Sequence, residues 1–154
     1  MSYVTKWITL SLGFGLVGCV NFSSKPDTVG LTEGGRLHDC PDKPNCVSSY
    51  GGSEEHAMNA WSLAGKSPSE VKPLIKKAAE QVAGEVDWQS DEPNYLHGVV
   101  LSSLLKFPDD IEFFIDEGSD KIHFRSASRH GYSDLGKNRE RMTNVKQALD
   151  GLIQ

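Results

Sequence analysis

Ile111-Glu112-Phe113-Phe114-Ile115-Asp116-Glu117-Gly118-Ser119-Asp120-Lys121-Ile122-His123-Phe124-Arg125 alternates apolar and polar residues on both sides of Gly118-Ser119. Period-two alternation marks a strand with one buried side, so the stretch reads as two strands of an antiparallel hairpin. With Gly118-Ser119 as a two-residue loop, Ile115 stands opposite Ile122 and Phe113 opposite Phe124, while Asp116 meets Lys121 and Glu112 meets Arg125. A slip of one residue would set apolar against charged along the whole ladder, which fixes the register. The acid–base pairs are expected on the solvent side, where each is worth about 0.2–1 kcal/mol.

Working outward, Tyr95 to Leu101 is a more apolar run that reads as a buried strand, and Val86 and Trp88 alternate with acids before it. Ser67-Pro68-Ser69-Glu70 combines a capping box with a proline at the first helical position. Val71, Leu74, Ile75, Ala78 and Val82 follow at helical spacing up to Gly84. At the other end Leu135, Met142, Val145, Leu149, Leu152 and Ile153 fit one face of a C-terminal helix, with Asp134 as its N-terminal cap. The expected fold is α+β: a small antiparallel sheet covered on one face by two helices, in the order helix, strands, helix.

The chain has 154 residues, 24% charged and 38% hydrophobic, which suits one globular domain and excludes a multidomain machine. A net charge of −5 gives no electrostatic reason for general nucleic-acid binding. Residues 1–18 hold one lysine (Lys6) and an apolar, small-residue run of signal-peptide length, shorter than a membrane span. Leu16-Val17-Gly18-Cys19 resembles a bacterial lipobox, with Cys19 as the residue to be lipidated. The reading is therefore a signal peptide over 1–18, a lipidated cysteine and flexible tether over 19–36, and one α+β domain over 37–154. The tether is inferred from its Gly- and Ser-rich, aperiodic composition. Such a protein is palmitoylated, anchored in the bacterial cell envelope and facing the periplasm. Val20 after the cysteine is compatible with the outer membrane.

Cys40 and Cys46 enclose a short loop with two prolines, and an oxidising periplasm favours a disulfide between them worth about 2–2.5 kcal/mol. A metal site built on His38, Cys40 and Cys46 is the alternative, without a clear fourth ligand. No cofactor motif is present.

Charge is unevenly distributed: Glu85 to Asp120 carries ten acids and one lysine, and Lys121 to Lys146 seven bases and two acids. Pairing of acidic with basic strands accounts for this in one reading. In the other, arginines, hydroxyls and a glycine-bearing turn before a helix N-terminus form a receptor for a carboxylate or phosphate. The candidate ligand-binding residues are Arg129, Tyr132, Ser133, Arg139 and His97, with Arg125 set aside as a sheet residue facing Glu112. For catalysis, His97, His123 and His130 are the histidines to consider and Ser126, Ser128 and Ser133 the nucleophiles, but no nucleophile-elbow, zincin or phosphate-loop pattern accompanies them.

Cys-Pro-Asp-Lys-Pro-Asn-Cys-Val-Ser-Ser (40–49), Tyr-Leu-His-Gly (95–98), Phe-Pro-Asp-Asp-Ile-Glu-Phe (107–113) and Arg-Ser-Ala-Ser-Arg-His-Gly-Tyr-Ser-Asp-Leu-Gly-Lys-Asn-Arg (125–139) together resemble the bacterial domain-of-unknown-function family 1499. The resemblance spans roughly residues 37–152. Gly98 stands where relatives tend to carry alanine, and Pro108 where they tend to carry an apolar residue. The resemblance implies an envelope-associated domain and assigns no catalytic residue. The functional expectation is a non-catalytic binding or scaffolding module that meets the membrane through its lipid and takes an anionic small molecule or an envelope protein as partner. The alternative is a small hydrolase or transferase acting on an envelope component.

Overall fold

The computed structural model describes residues 24–102 and 106–153. The expected signal peptide over 1–18, Cys19 and the start of the expected tether lie outside the described residues. Two short strands, β1 (Cys46–Ser48) and β2 (Trp61–Ser62), precede helix α1 (Pro68–Ala83). Four longer strands follow, β3 (Asp87–Glu92), β4 (Tyr95–Leu101), β5 (Pro108–Asp116) and β6 (Lys121–Ser128), and helix α2 (Lys137–Ile153) ends the chain. The fold is α+β: a six-stranded antiparallel sheet in the order β1-β6-β5-β4-β3, with β2 also paired to β6, and two helices.

The β5–β6 register is the one the alternation dictates: Ile115 pairs with Ile122, Phe113 with Phe124, Glu112 with Arg125 and Asp116 with Lys121. Its loop differs. The strands stop at Asp116 and Lys121, and Glu117 to Asp120 form the turn, with the left-handed backbone at Asp120 (φ 54°). The Asp116 carboxylate accepts from the Gly118 N–H at 3.0 Å and the Ser119 hydroxyl at 2.6 Å, so the turn is held by a side chain and Gly118 is not required at the positive φ.

Glu70 caps α1 as expected, accepting from the Ser67 N–H at 2.9 Å. Leu135 does not join α2: it is 89% exposed with φ 55°, and the helix begins two residues later. The cause is Asp134, whose carboxylate accepts from the Gly136 and Asn138 N–H groups at 2.9 and 2.7 Å and starts the helix beyond Leu135. The buried positions of α2 are then Asn138, Met142, Val145 and Leu149.

Alternation sorts the strand residues into two sets. Leu96, Val100, Ile111, Phe113, Ile115, Ile122 and Phe124 join Val71, Ile75, Met142, Val145 and Leu149 in one hydrophobic core. Gly98 belongs to the same parity and is forced to be small: a Cβ there would lie 2.6 Å from Val86 Cγ1 and 3.0 Å from the Trp88 ring.

Of the residues of opposite parity, expected in solvent, Lys121 is exposed and Asp116 half-buried, but the second charged pair is withdrawn from water. Glu112 and Arg125 are 0% and 3% exposed. What removes them from water is the stretch whose composition suggests a tether. From residue 24 on it lies against the sheet, with Val29 and Leu37 buried, Leu31 bridged to Leu37, and the Gly30 N–H donated to Glu112 at 2.8 Å. Two apolar residues and one backbone donor aimed at a carboxylate suffice to order a stretch that composition alone calls loose.

Among the described residues no helix is long and apolar enough to cross a membrane.

Candidate functional site

Beneath the arm formed by residues 24–45, two carboxylates organise the sheet's polar residues. Glu112, on β5, accepts from Arg125 Nη1 at 2.9 Å through one oxygen and from the Tyr95 hydroxyl and Gly30 N–H, both at 2.8 Å, through the other. Asp110, two residues earlier on the same side of the strand, accepts from Arg129 Nε at 2.9 Å and Nη2 at 2.8 Å, a bidentate fork. His97 Nε2 lies 2.7 Å from Asp110 Oδ1 and serves as the third donor. A third network lies on the other parity: Arg141 of α2 bonds Asp109, Ser126 and Asn138, and Asn138 Nδ2 reaches the Asn45 carbonyl at 3.0 Å.

These contacts set the protonation of the site. Burial alone would push the Asp110 carboxyl up, but the hydrogen bonds and positive charges of His97 and Arg129 outweigh it and hold the group below the ordinary aspartate range. The Asp110 hydrogen bond in turn raises the Arg129 guanidinium. Burial beside Glu112 pushes the Tyr95 phenol far up, so it acts only as a donor.

Between the arm and the sheet lies a cleft of about 170 Å3, lined among others by Thr28, Lys43, Asn45, Asp110, Arg125 and Arg129. Two buried side-chain atoms of its lining have no hydrogen-bond partner within the described residues: the donor Arg125 Nε and the acceptor Asn45 Oδ1. Buried polar groups are nearly always paired, so a donor and an acceptor left over beside one cleft single it out as the candidate site. Lys43 adds an exposed ammonium at its margin.

The structure divides the residues picked from the sequence. Arg129 and His97 do come together, through Asp110, but Arg129's fork is occupied by that carboxylate. Arg139 is turned the other way, its guanidinium donating to the Ala57 and Glu55 carbonyls at 3.0 and 2.7 Å. With Ser133 it lines a separate depression of about 460 Å3. Ser133 Oγ accepts the Leu135 N–H, and Tyr132 is 71% exposed. Arg125 is the sheet residue facing Glu112 that the register requires, and it also reaches the cleft.

The serines and histidines considered for catalysis are dispersed. Ser126 and Ser128 bond Asn138, not a histidine. Ser49 Oγ lies 3.1 Å from His123 Nδ1 but is also the acceptor for the Phe124 N–H, a strand-pairing role. Ser53 bonds His56, whose other nitrogen meets the Lys43 carbonyl. Cys40 and Cys46 form the expected disulfide, with Cα atoms 5.6 Å apart, which takes both from the alternative metal set. Among the described residues no group of three or more His, Cys, Asp or Glu is placed to hold a metal ion.

Asp110, Glu112 and Asn45 are not among the residues picked from the sequence. The first two are within reach of the register arithmetic: Asp110 stands opposite Ala127, and Arg129 is its diagonal neighbour two residues on.

No curated protein and no solved structure matches the chain. The family model described as "protein of unknown function (DUF1499)" matches residues 36–149, which takes in all strands and nearly all of both helices. This chain belongs to the DUF1499 family.

Proposed function

We propose that this is a lipid-anchored, periplasm-facing binding module of the bacterial cell envelope, held in the outer membrane by acyl chains on Cys19, that receives a small anion in the cleft between its arm and its sheet. In this reading both helices lie on one side of the sheet and the arm covers the other. The binding side is thereby shielded from the hydrophobic core. The observation that carries the reading is that one cleft is lined by Arg125 and Asn45, whose Nε donor and Oδ1 acceptor are buried without partners among the described residues. An anion that also bears a hydroxyl, such as hydrogen phosphate, would offer Arg125 an acceptor and Asn45 a donor, with Lys43 supplying charge at the margin. A binding role is preferred to hydrolysis because Ser126 and Ser128 bond Asn138, Ser133 accepts the Leu135 N–H, and Ser49, beside His123, is engaged by the Phe124 N–H.

The test is calorimetry and thermal unfolding of the chain with inorganic phosphate. Saturable binding with a rise in Tm is expected. Lys43→Ala, at an exposed position, should weaken it roughly two- to fivefold, and Asn45→Asp, which sets a negative charge against the guest, should abolish it. Absence of any Tm rise, or equal binding by Asn45→Asp, would overturn the reading. Intact mass of membrane-extracted protein tests the anchor.

A further inference from the structure

Four large apolar side chains stand out as exposed among the described residues: Leu101 (56%), Phe107 (37%), Tyr132 (71%) and Leu135 (89%). They come from different parts of the chain, yet the topology gathers them at one end of the sheet. Leu101 is the last residue of β4 and pairs with Pro108, so Phe107 sits at the start of β5 beside it. Tyr132 and Leu135 lie in the loop that leaves β6 after Ser128, and Ser128 pairs with Asp109 at that same end. The Phe107 and His130 rings are 6.1 Å apart, which ties the two loops together.

The described chain also begins there. The Ser24 carbonyl accepts from Arg129 Nη1 at 3.4 Å, and the Arg129 N–H is bonded to the Pro108 carbonyl at 3.1 Å. Ser24 lies five residues beyond Cys19, and five residues reach at most about 17 Å. An acylated Cys19 therefore fixes this end of the sheet, and not the β5–β6 turn at the other, next to the bilayer surface.

We infer that the end of the sheet carrying Leu101, Phe107, Tyr132 and Leu135 is a membrane-contacting edge, seated on the phospholipid surface in which the Cys19 acyl chains are buried. This rests on the anchor proposed above. Leu135 supports it from the backbone as well. Its left-handed φ of 55° belongs to the turn through which Asp134 caps α2, and that turn presents the apolar side chain outward, 89% exposed. Tyr132 has the amphipathic ring that suits the headgroup level. Lys25, next to Ser24, and Lys106, next to Phe107, are both exposed and match lipid phosphates. Scattered single apolar residues on a surface need no explanation, but four converging where the chain emerges do.

The full chain, purified from membranes and reconstituted in phosphatidylethanolamine–phosphatidylglycerol vesicles containing bromine-labelled lipid, tests this with a tryptophan at either end of the sheet. Relative to the unsubstituted chain, Tyr132→Trp should add a blue-shifted component that bromine quenches, and Ser119→Trp, in the β5–β6 turn, should not. Leu135→Asp in the Tyr132→Trp background should reduce the quenching while circular dichroism stays unchanged. Intact mass reports separately whether Cys19 carries acyl chains. Lack of acylation overturns the anchor and this edge with it. If the protein is acylated but the Tyr132→Trp variant gains no quenched component, or one no larger than the Ser119→Trp variant gains, the edge alone is overturned and that face is left to a protein partner.

Discussion

Asp110 holds Arg129 with both carboxylate oxygens, at 2.9 and 2.8 Å, and takes His97 on one of the same oxygens at 2.7 Å. The pair joins β5 to the residue just past β6, and Asp110 and His97 are 2% and 0% exposed. A buried carboxylate with two cationic-side donors is stable only while ionised, because protonation would leave the fork without its acceptor.

This makes stability acid-sensitive in a stated direction. The folded-state pKa of Asp110 lies below its unfolded value, near 3.9, so its contribution is fully present above that value and is lost as pH falls through the folded one. Denaturant midpoints measured between pH 6 and pH 2.5 should fall for the wild type through the acid end of this range. Asp110→Asn should start lower and lose less over the same interval. Identical slopes for the two proteins would mean that the acid sensitivity resides in other carboxylates.

Glu112 and Arg125 are a buried ion pair with further donors on the acid, and breaking one side strands the other. Glu112→Ala and Arg125→Ala should each cost about 3–5 kcal/mol, and the double variant should cost less than their sum, with a coupling of about 0.5–3 kcal/mol. Urea unfolding of the four proteins measures this cycle. Additive costs would show that the two groups do not interact.

Gly98 separates the demands of packing from those of conformation. Its φ is not in the left-handed region, and what excludes a side chain is Val86 Cγ1 at 2.6 Å and the Trp88 ring at 3.0 Å from the place a Cβ would take. Gly98→Ala should therefore destabilise by about 1–3 kcal/mol through overpacking, and Val86→Ala added to it should recover part of the loss. A Gly98→Ala protein as stable as the wild type would show that β3 can shift outward without cost.

The hairpin and both helices are legible because each carries its own repeating signal: period two from Ile111 to Arg125 and helical spacing after Ser67. β1 and β2 are not, since strands of three and two residues are too short to show a period. The burial of Glu112 and Arg125 is hidden for a different reason. The register places them opposite each other correctly, but whether that side of the sheet meets water depends on the arm, and Val29, Gly30 and Leu37 are too sparse to announce a covering layer. The same gap misdirects the site. Arg129 reads as free to bind a ligand when acids are sought near it in sequence, at Asp134 and Glu140, whereas its partner Asp110 lies 19 residues away. Only the fold brings Asn45 and Arg125 to one cleft.

The Cys40–Cys46 disulfide closes the loop that builds one wall of that cleft, and the loop is tied down residue by residue. Asn45 Nδ2 donates to the Gly131 carbonyl at 3.2 Å, the Asn45 carbonyl accepts from Ser128 and Asn138, the Lys43 carbonyl meets His56, and the Pro44 carbonyl accepts the Asp134 N–H at 3.4 Å. With so many contacts, opening the bridge should loosen the loop without unfolding the domain. Cys40→Ser with Cys46→Ser should lower stability by about 2–2.5 kcal/mol, the value expected for a loop this short. The functional loss should be larger than the structural one, because Lys43 and Asn45 both stand inside the bridged loop. Hydrogen exchange should accelerate at residues 41–46 and around Gly131 while the β5–β6 amides remain protected, and phosphate should no longer raise Tm. If the double variant keeps the phosphate response of the wild type, the hydrogen bonds alone position Lys43 and Asn45, and the disulfide serves only to stabilise the fold.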